Sequence, residues 1–124
     1  IPGLVGREVD QLMTKFPIPK NTRIVAHGSC VCGSTGVPVT KLHDATFITL
    51  KSGASVFAPG SQMWPCAMNG NCVGQGTTDV TNRFTRAVTD NVIQVFDAGK
   101  VKKSWRAKNN VKTVYGKTKF KYIK

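Results

Sequence analysis

Acidic side chains are scarce in this sequence: six among 124 residues, against eighteen lysines and arginines, and none after Asp97. Acids scattered singly (Glu8, Asp10, Asp44, Asp79, Asp90, Asp97) are hard to assemble into the paired carboxylates of a glycosidase. No apolar run approaches the ~20 residues of a membrane-spanning helix, so no transmembrane segment is expected. The start Ile1-Pro2-Gly3 lacks signal-peptide character. The missing initiator Met suggests a processed product or an excised domain. Phosphate-loop, dinucleotide, His-Glu-x-x-His and Gly-x-Ser-x-Gly patterns are absent too, and no cofactor or resident metal is expected.

What is present is positive charge, unevenly placed. Residues 1–97 hold all six acids and eight bases, whereas residues 98–124 hold ten bases and no acid, within a net charge of +12. A one-signed block focuses potential and recruits phosphate polymers by releasing their counterions. The plainer alternative is a solubilising face. A hydrophobic content of 40% with ten aromatic residues describes a packed globule. The length suits one core, expected as a single domain over 1–124.

Local pattern predicts an α+β fold: an N-terminal helix and one further helix packed on a twisted, mostly antiparallel sheet drawn chiefly from the C-terminal half. Leu4, Val5, Val9, Leu12, Met13 and Phe16 recur at helical period, which places a helix over 3–16, ended by Pro17 and Pro19. Arg23 to His27 has the look of a short buried strand. Residues 46–50 and 54–57 form a hairpin around Lys51-Ser52-Gly53, followed by a long loop to Gly76. Thr78 caps the second helix, near 78–90. A further hairpin is expected from 92–96 and 101–105, and two last strands, 111–115 and 117–123, hinge at Gly116. In the last of these, period two sets Lys117, Lys119 and Lys121 on one face and Phe120 and Tyr122 on the other.

The chemistry-bearing residues are few. His27 and His43 are the natural general acid and base near neutral pH, and Lys41 is a cation close to His43. A metal-independent ribonuclease needs such a set: a base for the 2′-hydroxyl, an acid for the leaving oxygen and a cation for the pentavalent phosphate. Arg83, Arg86, Lys102, Lys103, Arg106, Lys117, Lys119 and Lys121 are the candidate phosphate ligands. The opposing view of each histidine is a side chain satisfying a local hydrogen bond. Cys30, Cys32, Cys66 and Cys72 are disulfide candidates, with Cys66–Cys72 or two links between the pairs favoured because alternate cysteines seldom bond without strain. Zinc usually takes thiolates two to four residues apart, which neither pair offers. A thiol nucleophile at Cys30, activated by His43, is the third possibility. Gly33-Ser34-Thr35-Gly36 suits an anion-binding nest or a plain turn.

In general character (a short basic domain with Lys-rich final strands) the chain resembles the cytotoxic C-terminal nuclease domains of bacterial polymorphic and contact-dependent inhibition toxins. That resemblance implies an RNA-cleaving effector acting on tRNA or rRNA in a target cytoplasm after export or delivery, with RNA and an acidic immunity or inhibitor protein as partners. The alternatives are a non-catalytic RNA-binding module, such as a viral polyprotein product, and a secreted disulfide-bonded protein that binds anionic surfaces.

Overall fold

A computed structural model describes residues 1, 3–5, 8–32, 37–70 and 76–123. The chain is α+β. A two-residue strand β1 (Ile18–Pro19) leads into β2 (Thr22–Cys32), β3 (Val39–Thr49) and β4 (Ser55–Ala58). Three helices follow, α1 (Met63–Asn69), α2 (Asp79–Asp97) and α3 (Val111–Tyr115), then β5 (Tyr122–Ile123). Strands β2, β3 and β4 form an antiparallel sheet in that order, and β1 pairs with β5 in parallel. The three-stranded sheet thus comes from the N-terminal half, not the C-terminal half as local pattern suggested.

The sheet carries apolar side chains on both faces. On one, Ile24 packs with Ile18 and Val111, flanked by Leu12, Val114, Tyr115 and Phe120. On the other, Phe57 meets Trp64 edge-on at 5.4 Å, within a cluster built on Leu4, Trp64 and Ala67. Phe47, paired with Phe57 across β3 and β4, stacks on Phe96 of α2. Full burial of each such side chain contributes roughly 1.5–3 kcal/mol.

One irregularity decides which side chains share a face. Ile24 pairs with Thr46, but Ala26 pairs with Ala45, leaving Val25 as an extra residue in β2. An inserted residue shifts the alternation by one, so every later side chain changes face. His27 therefore falls opposite Asp44, on the α3 side, while Gly28 falls opposite His43. At the bulge the outward edge of β2 is bonded by a side chain: Ile24 N–H donates to Asn110 Oδ1 (2.7 Å) and Asn110 Nδ2 donates to Ile24 O (2.8 Å).

Residues 8–17 hold no helix despite their period. Val9 bridges Ser61, Asp10 N–H donates to Gly60 O, and Asp44 N–H donates to Asp10 O (both 2.9 Å). The backbone spends its hydrogen bonds on neighbouring segments, and the apolar residues go to different places: Leu4 and Leu12 to separate clusters, Met13 and Phe16 to solvent. The long loop before Gly76 contains α1, closed by Gly70 in the left-handed region (φ 74°), whose N–H donates to Cys66 O.

Helix α2 begins where expected, with Thr78 and Thr81 in a reciprocal cap, but runs on to Asp97. Val88, Val92 and Val95 keep helical spacing through the stretch assigned to a hairpin. Thr81, Thr85 and Thr89 recur every fourth residue, the first two fully buried. Thr85 and Thr89 donate their hydroxyls to the carbonyls of Thr81 and Thr85 (2.8 Å each), which makes their burial cheap. Thr89 then accepts the Trp64 indole N–H (3.0 Å). Residues 103–105 form a 3-10 turn and 111–115 a helix, so the two C-terminal hairpins are replaced by helical turns. Lys117, Lys119 and Lys121 are all exposed, but only Tyr122 and Ile123 are strand.

Candidate functional site

Asp44 is the acidic residue of β3, and its side chain is 1% exposed. A buried carboxylate needs donors on its oxygens, and three segments supply them. His27 Nδ1 lies 2.7 Å from Oδ1. Leu12 N–H donates to Oδ2 at 2.8 Å, and the Tyr115 hydroxyl donates to the same oxygen. Since the carboxylate only accepts, Nδ1 of His27 carries the proton and Nε2 is left as the basic nitrogen. The His27 side chain keeps 31% of its surface exposed, so one ring edge is held by Asp44 and the other is accessible. The Tyr115 ring meets His27 edge-on at 5.2 Å. Burial, and after it the hydrogen bond and charge of Asp44, push the Tyr115 hydroxyl above the ordinary phenol range and keep it protonated.

His43, 6% exposed, lies on the opposite face. Its Nε2 donates to Pro59 O at 2.9 Å. Gly60, with φ of 68°, makes this approach possible: a Cβ there would stand 2.2 Å from Asp44 O and 3.1 Å from His43 Nε2. A cavity of about 380 Å³ opens at this end of the sheet. His27, Ser29, Cys30 and His43 line it, with an apolar wall of Leu4, Val5 and Phe84.

Both histidines contribute to the lining of one cavity beside β2, although the register sets their side chains on opposite faces of the sheet. Lys41 is exposed, opposite Cys30 in the register and outside the cavity lining. Arg86 is committed elsewhere, its Nε donating to Met68 O at 2.7 Å, and Arg83 is exposed on α2. Arg106 Nη2 donates to Lys51 O at 3.2 Å. Lys102 and Lys103 are exposed beside the 3-10 turn. These cations do not gather round the histidines. Cys30 is half-buried on β2 and Cys66, on α1, is disulfide-bonded. Cys72, Gly33 to Gly36, Lys124 and the Cys32 side chain lie outside the described residues.

Sequence reasoning missed Asp44 and Tyr115 as partners of His27. The signal for Asp44 was an acid amid Leu42, Ala45 and Phe47, which only pairing can accommodate. Tyr115 gave none, since nothing local links it to residues 71 positions earlier.

A model of the family described as N,N-dimethylformamidase beta subunit-like, C-terminal, matches residues 1–79. No curated protein and no solved structure matches the chain. The match overturns the resemblance to toxin nuclease domains, and with it the RNA-cleaving effector, its RNA target and its acidic inhibitor. It lends nothing to the RNA-binding and secreted-protein alternatives. Among the described residues no helix is long and apolar enough to cross a membrane.

Proposed function

We propose, from the premise that this chain belongs to the N,N-dimethylformamidase beta subunit-like, C-terminal family, that it is part of a subunit of an enzyme hydrolysing small linear amides. The observation that carries this reading is the extent of the match. Residues 1–79 include every residue lining the cavity except Phe84, and both ends of the His27–Asp44 pair.

The chemistry of the cavity suits the reaction. Amide hydrolysis adds water to the carbonyl carbon, breaks the C–N bond, and moves a proton from water to the departing amine. His27 Nε2 accepts the proton from water and returns it to the amine nitrogen, while Asp44 holds the ring and balances the imidazolium. The apolar wall of Leu4, Val5 and Phe84 suits the methyl groups of a substrate such as dimethylformamide.

The test is amide hydrolysis by the assembly that co-purifies with the tagged full chain, read as dimethylamine and formate released from N,N-dimethylformamide. Turnover that falls by about 100-fold in His27→Ala, the usual scale for a lost general base, is the expected result. An assembly inert toward linear amides overturns the reading, and full turnover in a folded His27→Ala removes His27 from it.

A further inference from the structure

The cavity of about 600 Å³ at the opposite end of the sheet carries a separate inference, because the described residues lining it include two lysines and no acid. We propose that it is a binding site for a small anion of carboxylate or phosphate type. Two turns form it, the β1–β2 turn with Lys20 and Asn21 and the β3–β4 turn with Lys51 and Ser52. The pairing of Thr22 with Ile48 sets these turns side by side, so the two lysines reach the lining from different segments.

Arg106, from the basic C-terminal block, is outside the described lining but donates from Nη2 to Lys51 O at 3.2 Å, which holds a third positive charge beside the β3–β4 turn. Ser52 adds a neutral donor: its Oγ accepts from Ala54 N–H at 3.2 Å, so its hydroxyl proton points elsewhere. Asn21 is fixed by donating to Thr49 O at 3.1 Å, and Asn109 holds Lys20 O at 2.9 Å, so the turns are held in place before any ligand arrives. Pro19 and Leu50 complete the lining.

The experiment titrates the full chain with inorganic phosphate and, separately, with acetate, at constant ionic strength, following backbone amide resonances. Saturable shifts confined to Asn21, Lys51, Ser52 and Gly53 are expected, and the tighter of the two ligands identifies the anion class. Lys20→Gln with Lys51→Gln should weaken binding by about tenfold or more, the scale of lost hydrogen bonds between charged groups. Lys117→Gln with Lys119→Gln removes the same charge elsewhere and should leave affinity within about twofold. Linear shifts, shifts spread along residues 98–124, or equal weakening by the two double variants would each overturn the site in favour of diffuse attraction.

Discussion

Asp44→Asn replaces one oxygen in the network that ties His27, Leu12 and Tyr115 together, and its effects on stability and on chemistry separate. The retained amide oxygen can still accept from Leu12 N–H and the Tyr115 hydroxyl, which share Oδ2. The new NH₂ then faces His27 Nδ1, which must become an acceptor, so the imidazole proton moves to Nε2. Three bonds to a charged acceptor become bonds between neutral groups. Hydrogen bonds to charged groups contribute about 1 kcal/mol more than neutral ones, so the loss is about 3 kcal/mol in all. With 1% of the carboxylate exposed, solvent screening reduces this little. The variant should fold, with a lower urea midpoint and an unchanged m-value. Its His27 should report the Nε2–H tautomer in nitrogen-15 spectra, and amide turnover should fall by about 100-fold or more, since Nε2 is no longer a base. An unchanged His27 tautomer would refute the geometry; a changed tautomer with full turnover would refute the role.

Three further outcomes follow from particular contacts. Gly60→Ala should destabilise by more than about 1 kcal/mol in thermal or urea unfolding, because its φ of 68° disfavours a side chain and the new Cβ meets Asp44 O at 2.2 Å; a neutral result would contradict the close approach. The Tyr115 hydroxyl, held above its ordinary range by burial, makes the folded state lose stability as pH rises above about 10, where the unfolded phenol ionises. Tyr115→Phe should abolish that alkaline loss and the late rise in phenolate absorbance; a Tyr115 that ionises before unfolding would contradict it. Thr89→Val should cost about 1–3 kcal/mol by orphaning the Trp64 indole N–H, whereas Thr85→Val, which removes only a donor to an already bonded carbonyl, should cost less than half as much; equal costs would mean that the indole bond contributes nothing.

The parts of the molecule that were legible in sequence are those fixed by neighbours in the chain. Thr78 announced α2, and the β3–β4 turn was readable from Lys51-Ser52-Gly53. The errors share a physical cause: a side-chain period says which residues want burial and nothing of where the backbone finds its partners. Residues 3–16 had a helical period, yet Asp10 and Leu12 bond to Gly60 and Asp44. The alternation in Lys117 to Tyr122 did not yield the expected half-buried strand: only Tyr122 and Ile123 pair, because β1 offers only Ile18 and Pro19, and Tyr122 itself is exposed. Both histidines were singled out on residue type, but their partners were not. His27 acquires Asp44 through a bulge, and a bulge is written in the mismatch between two strands, which no reading of either strand alone can show.

The extra residue at Val25 makes the length of β2 a matter of parity. Remove Val25 and the strand can pair in regular alternation with Ala26 still on Ala45 and His27 still on Asp44; straighten the bulge at full length and His27 is carried through the sheet, opposite His43 and away from Asp44 and Tyr115. A change of residue type at Val25, half-exposed as it is, need not disturb that arrangement. The segment can therefore accept many substitutions, and even the loss of the extra residue, but not a slip that pairs Val25 with Ala45. Its register, more than the identity of its residues, is what keeps the imidazole beside its carboxylate.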